Sequence, residues 1–214
     1  MPNQKLTLIA FLLDRSGSMQ SIKSDVVGGF DTFLTEQRAS DGECRVTLAQ
    51  FDNRYEVVYR SIPVDDVPPL ELNPRGSTAL LDSMGTLITD TAAEIAALDE
   101  DERPGSVVVA IMTDGHENAS REWRRPDIKA LVEQQTNEFG WEFLYMGADQ
   151  DAVEVGKGLG VKAEQAVTYG RGKSREAMRA ASGNVRAYRN AKLTDIDAAM
   201  PAFTADQRSE LTDD

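Results

Sequence analysis

Near-continuous apolar runs alternate along the chain with stretches whose apolar residues recur at helical spacing. Residues 6–13 (LTLIAFLL) form one such run, as a central strand covered on both faces requires. Met19, Ile22, Val26, Phe30, Phe33 and Leu34 then share one stripe of a helix. Residues 45–51 and 55–59 predict two strands joined only by Asp52-Asn53-Arg54. So short a polar link joins antiparallel neighbours, which puts the third strand in a hairpin at a sheet edge.

Proline-rich residues 63–74 read as loop. Leu81, Met84, Leu87, Ile88, Ile95 and Leu98 define a second amphipathic helix, ended by the acidic turn 99–105. Residues 107–112 (VVVAIM) are another buried strand. Pro126 suits the first turn of a helix that runs to about Phe139, and Gly140 suits its C-terminal cap. A fifth strand over 141–146, a short helix over 151–159, a short strand over 166–169 and a long helix over 174–191 follow. The tail from Thr194 is polar and reads as loosely held, although Thr204-Ala205-Asp206-Gln207 has the form of a helix cap.

This alternation predicts an α/β fold: an open, doubly wound, mostly parallel sheet of about six strands with helices on both faces. In such sheets ligands sit at the carboxyl ends of strands, where the strand order reverses. If the strands over 6–13 and 107–112 are neighbours there, Asp14 and Asp114 lie side by side. The 214 residues suffice for one core, so residues 1–192 are expected to form one domain and 193–214 a tail with a short helix.

Composition narrows the classes. A formal charge of -13 argues against general attraction to nucleic acid or to anionic membranes. Cys44 is the only cysteine, so no intrachain disulfide forms and a reduced, cytoplasmic setting is expected. The run 6–13 is too short for a signal sequence and enters Asp14 with no small-residue cleavage site. Nothing approaches bilayer-spanning length.

The chemistry concentrates in three turns. Asp14-Arg15-Ser16-Gly17-Ser18 places a carboxylate and two hydroxyls at alternate positions where a buried strand surfaces. Gly76-Ser77-Thr78 precedes a predicted helix, and Thr113-Asp114-Gly115 ends a predicted strand. Hard oxygens converging on a strand end are what a small dication needs. The pattern Asp-x-Ser-x-Ser, then Thr, then Asp, carried by Asp14, Ser16, Ser18, Thr78 and Asp114, closely resembles the metal-ion-dependent adhesion site of von Willebrand factor A domains. The resemblance extends over roughly the first 170 residues.

It implies the strand order 3-2-1-4-5-6 with strand 3 antiparallel. It also implies a Mg²⁺ site, with Mn²⁺ or Ca²⁺ as alternatives, that leaves one position for an Asp or Glu of a partner protein. A non-enzymatic adaptor follows, and family members often serve larger assemblies, ATPase complexes included. Arg15, beside the site, is expected to steer acidic partners. Plainer roles exist: Ser18 suits a helix cap, Asp14 a bond to loop backbone, and Thr78 a helix N-cap. A rival reading makes Asp14 the nucleophile of a Mg²⁺-dependent phosphatase or phosphotransferase, but Ser16 stands where such chemistry wants a second carboxylate. A third is a scaffold that needs no metal.

The remaining motifs are weaker. His116, the only histidine, reads as a solvent-facing loop residue, and no thiolate or second histidine supports zinc. Gly156-Lys157-Gly158-Leu159-Gly160 follows a helix, not a strand, so it reads as a helix end and turn rather than a dinucleotide loop. Gly172-Lys173-Ser174 lacks the earlier glycine of a phosphate loop, since position 167 is Val167. Arg175, Arg179, Arg186 and Arg189 share a stripe of the last helix about 100° from its apolar stripe. Residues 171–192 hold seven Arg or Lys against Glu176, so the rest of the chain carries about -19 (-13 less +6). A solvated face explains the stripe, as does a second contact surface for an acidic partner.

Overall fold

Six strands in the order β3-β2-β1-β4-β5-β6 form the sheet of the computed structural model, which describes residues 1–148 and 150–212. β1 (Asn3–Asp14) and β4 (Pro104–Thr113) occupy its centre. β2 (Glu43–Phe51) and β5 (Glu142–Ala148) flank them, and β6 (Ala166–Tyr169) is one edge. All these pairs are parallel, whereas β3 (Tyr55–Pro63) pairs antiparallel with β2 as the other edge. The expected order and the expected hairpin are both present.

β3 is longer than the apolar pattern marks, because residues on its open side face water and break the run. Its register against β2 slips on both sides of Leu48, leaving exposed Val58 without a partner opposite it. Such bulges twist an edge strand away from further pairing.

α1 (Lys23–Arg38) and α5 (Ser174–Lys192) lie together on one face, while α2 (Leu80–Ala97), α3 (Arg125–Phe139) and α4 (Ala152–Gly158) cover the other. Alternation in β1 decides the split. Ile9, Phe11 and Leu13 face the first layer, and Ala10 and Leu12 the second. Phe11 meets Phe30 and Phe33 of α1 edge to face, with ring centroids 5.2 and 5.6 Å away. Pro126 does sit in the first turn of α3, and Gly140 ends that helix in the left-handed conformation, φ 67°. Gly156 and Gly158 close α4, as a helix end should.

The tail is held more firmly than its polarity suggests. Met200, Phe203 and Leu211 are buried in the α1/α5 core, and the Gly170 N–H donates to the Leu211 carbonyl at 2.9 Å. Thr204 and Gln207 exchange hydrogen bonds of 2.8 and 3.1 Å, the reciprocal cap of α6 (Ala205–Thr212). Three apolar residues spread over twelve positions leave no periodic signal, yet each finds a socket. No helix among the described residues is long and apolar enough to cross a membrane.

Candidate metal site

Parallel register builds the site. Leu13 of β1 lies opposite Met112 of β4, so Asp14 emerges beside Thr113 and just before Asp114. Asp14, Ser16, Thr78 and Asp114 are buried, while Ser18 is exposed at the rim. The three turns that are remote in sequence therefore meet at the carboxyl end of the sheet, where the order reverses between β1 and β4.

The hydroxyl hydrogens have defined destinations. Ser18 Oγ donates to Asp114 Oδ1 at 2.6 Å, and Ser16 Oγ lies 3.1 Å from Ser18 Oγ. The single Ser18 hydrogen being spent on Asp114, Ser16 is the donor in that second bond. Thr113 Oγ1 donates to Asp14 Oδ2 at 2.6 Å, and the Ser16 N–H donates to Asp14 Oδ1 at 2.6 Å. Oxygen lone pairs are thus left to face the space between the turns.

Gly115 measures that space. A Cβ placed on it would stand 2.9 Å from Thr78 Oγ1 and 3.8 Å from both Asp14 Oδ2 and Ser16 Oγ. Oxygens from two turns therefore gather beside Gly115, with Asp114 Oδ1 tied in through Ser18. The hard, mixed hydroxyl-carboxylate donor set suits Mg²⁺ or Mn²⁺. No cluster of three or more His, Cys, Asp or Glu side chains occurs among the described residues, so the hydroxyls are essential to any such site.

Burial pushes the Asp14 carboxyl up to about 6; the Thr113 hydroxyl and the Ser16 N–H hold it down, and Asp114 adds to the rise. A buried carboxylate that resists ionisation alone is stabilised by a cation beside it. The electrostatics and the oxygen geometry agree.

Several residues hold the turns in place, a role the sequence did not mark. Asp52, almost fully buried at the end of β2, accepts from Arg15 Nε at 3.1 Å, Arg75 Nε at 2.9 Å and the Arg54 N–H at 2.8 Å. Burial alone would raise its pKa, but these bonds, Arg75's foremost, lower it overall. Arg15 also donates to Glu56 Oε2 at 2.7 Å and is itself buried. It therefore points away from the pocket, and the expectation that it steers partners is corrected: its guanidinium braces the first turn. With Arg75 N–H donating to the Arg15 carbonyl and Gly17 N–H to the Gly76 carbonyl, the first two turns are sewn together.

Asn118 performs the same task for the second and third turns. Its Oδ1 accepts from the Thr78 N–H at 3.0 Å, and its own N–H donates to the Thr78 carbonyl at 3.0 Å. Thr78 is not the N-cap of α2. Glu117 Oε2 accepts from the Leu81 N–H at 2.9 Å and Ser120 Oγ from the Asp82 N–H at 3.0 Å, which leaves the Thr78 hydroxyl to the pocket. His116 is exposed, as expected. Arg189 departs from the basic stripe. It is buried and donates to the carbonyls of Gln37, Asp41 and Gly42, so it ties α5 to the end of α1.

Sheet order, hairpin edge and flanking helices together define a von Willebrand A-type fold. A protein described as von Willebrand factor type A from Catenulispora acidiphila matches 84% of this chain with a TM-score of 0.56 at 13% identity. The von Willebrand factor domain of the type V pili tip protein Mfa5 from Porphyromonas gingivalis matches 85%, TM-score 0.57, at 11% identity. The pilus adhesin SpaC from Lactobacillus rhamnosus GG matches 86%, TM-score 0.57, at 14% identity. The chain spans 42% of the first of these proteins, 95% of the second and 30% of the third. No family model matches the sequence, and no curated protein resembles it in sequence.

Proposed function

We propose that this chain is a cation-dependent protein-binding module. Asp14, Ser16, Ser18, Thr78 and Asp114 would hold Mg²⁺, and a carboxylate of a partner protein would complete the shell. The observation that carries this reading is the gathering beside Gly115 of Thr78 Oγ1, Asp14 Oδ2 and Ser16 Oγ, oxygens of separate turns. A dication bound there supplies a positive centre that accepts one further oxygen. The chain's part is to fix the donors: the Asp52 and Asn118 bonds hold the turns, and the serine relay keeps Asp114 oriented.

Two neighbours in fold are named as a pilus tip protein and a pilus adhesin, which supports a binding role at the coarse level. An adaptor within a larger assembly fits the same chemistry. A cytoplasmic setting stays part of this reading on the strength of the single cysteine, buried Cys44. Catalysis is disfavoured because Ser16, two residues after Asp14, is no acid or base near neutral pH. Hydrolysis of a general phosphate ester that Asp14→Asn abolishes would reverse that judgement.

The direct test is the melting temperature with Mg²⁺ or Mn²⁺ against EDTA; a rise on adding metal is expected, and an unchanged value rejects the reading. Protons compete with the cation for Asp14. With its pKa about 6, apparent metal affinity should fall roughly tenfold between neutral pH and pH 5, as titration calorimetry would measure. Affinity that is flat over that interval contradicts the assignment of Asp14 as a ligand.

Gly115→Ala offers an independent check. Its backbone is not in the left-handed region, so alanine is tolerated there, but the new Cβ would crowd Thr78 Oγ1 at 2.9 Å. Metal-induced stabilisation is expected to fall sharply while the metal-free melting temperature moves by about 2–3 °C at most, the scale of about 1 kcal/mol in a domain of this size. A full metal response in this variant would mean the cation sits elsewhere.

A further inference from the structure

We propose that a run of acidic residues in the partner lies along α5, from the rim of the oxygen pocket down to Arg186. The inference rests on the reading of that pocket as a cation site that takes a carboxylate. Arg171, at the start of the track, stands at the pocket: its Nη1 is 3.9 Å from Asp114 Oδ2 and donates to Ser21 Oγ at 3.3 Å. Arg175 follows, lying across Gly28 of α1, where a Cβ would come within 2.6 Å of its Nη2. Its Nη2 is 4.0 Å from Asp25 Oδ1. Arg179 and Arg186 come next, both exposed, with no carboxylate within 4.0 Å among the described residues.

Helix geometry aligns these groups. At 100° per residue, Arg175, Arg179 and Arg186 fall within about 40° of one another, and at 1.5 Å per residue they span about 17 Å. An extended peptide covers that length with about five residues. The opposite face of α5 is fully used by the core through Ala177, Met178, Ala181, Val185 and Tyr188. Within α5, Arg189 is turned inward, whereas Arg175, Arg179 and Arg186 are exposed.

Charge selects the occupant. Residues 171–192 carry +6 while the rest of the chain carries about -19. An acidic segment is repelled by much of the acidic surface and attracted along this track, which favours its lying there. Because the track begins at Asp114, one carboxylate of the same segment reaches the pocket as its neighbours meet the arginines.

A fluorescein-labelled octaglutamate peptide is a suitable probe, its binding read by anisotropy at low ionic strength, where screening is weakest. Wild type in Mg²⁺ should bind it. The combined variant Arg175→Glu, Arg179→Glu and Arg186→Glu should weaken binding tenfold or more. A control of equal charge change on the other helical layer, Arg121→Glu, Lys129→Glu and Lys157→Glu, should change it about twofold at most. Folding of both variants is verified by their melting temperatures. No binding to wild type, or equal losses in the two variants, overturns the track. The metal reading is judged separately: stripe-dependent binding by a protein whose melting temperature ignores Mg²⁺ leaves the track standing and removes the cation.

Discussion

Asp14→Ala and Asp114→Ala should each abolish the rise in melting temperature that Mg²⁺ or Mn²⁺ produces in the wild type, and Asp14→Asn should do so while raising the metal-free value. The asparagine fits the bonds already present. Its oxygen accepts from the Ser16 N–H, and its amide donates to Thr113 Oγ1, whose hydrogen turns to the Gly115 carbonyl at 3.3 Å. What it removes is a buried charge. The folded pKa of Asp14, about 6, lies above the ordinary 3.8, so the folded protein holds this proton more tightly than the unfolded chain. The stability this group contributes is complete below about pH 4. It declines as pH rises through 6, by roughly 3 kcal/mol in all. At pH 7.5 the metal-free Asp14→Asn protein should therefore melt several degrees above wild type, on the scale of about 2–4 °C per kcal/mol. A lower melting point than wild type, or a persisting metal response, would count against Asp14 as a strained ligand awaiting a cation.

The second large effect belongs to Asp52. Its carboxylate has almost no solvent contact and balances two guanidiniums, one of them buried. Asp52→Ala leaves Arg15 with Glu56 alone and removes the carboxylate that bridges the Arg15 and Arg75 side chains, so only backbone bonds still join the first two turns. Breaking a buried pair from one side costs about 3–5 kcal/mol, so melting should fall by roughly 10 °C. Adding Arg15→Met should recover part of the loss, because the orphaned charge is then gone. Metal affinity should also fall, since Ser16 and Thr78 both belong to the turns that lose this brace. The pH dependence has the opposite sign to that of Asp14. Hydrogen bonds hold the Asp52 pKa below its ordinary value, so its contribution is present above pH 4 and is lost as acid passes through the lowered pKa. Calorimetry showing the single variant within about 2 °C of wild type would contradict the bracing role.

Much of the fold was legible because central parallel strands are hydrophobic on both faces. The runs ending at Leu13 and Met112 have one plausible structure, and the three-residue link 52–54 admits only a hairpin. The meeting of Asp14 and Asp114 was legible for a related reason. Strand ends are fixed by where apolar runs stop, so Asp14 and Asp114 had to surface at the same edge once β1 and β4 were neighbours.

Less visible were contacts between turns that no periodicity records. Arg15 reads as a free charge next to a site, and only the closeness of Asp52, 37 positions later, turns it inward. Thr78 reads equally as a pocket donor and as a helix cap until Glu117 and Ser120 are seen to cap α2 instead. Arg189 shares a helical stripe with three arginines, yet it stands at that stripe's far end, where α5 meets the end of α1. The tail's three buried apolar residues have no period to betray them.

Local chemistry in the chain settled which segments are strand or helix, where each stops, and which oxygens stand at the stops, because burial of apolar runs and capping act between near neighbours. Pairing across long separations settled the rest: which charges brace the turns, which one arginine of the stripe is structural, and how much room Gly115 leaves among the oxygens. Those outcomes depend on distances between strands and loops that come together only when the sheet closes, and no spacing along the chain encodes them.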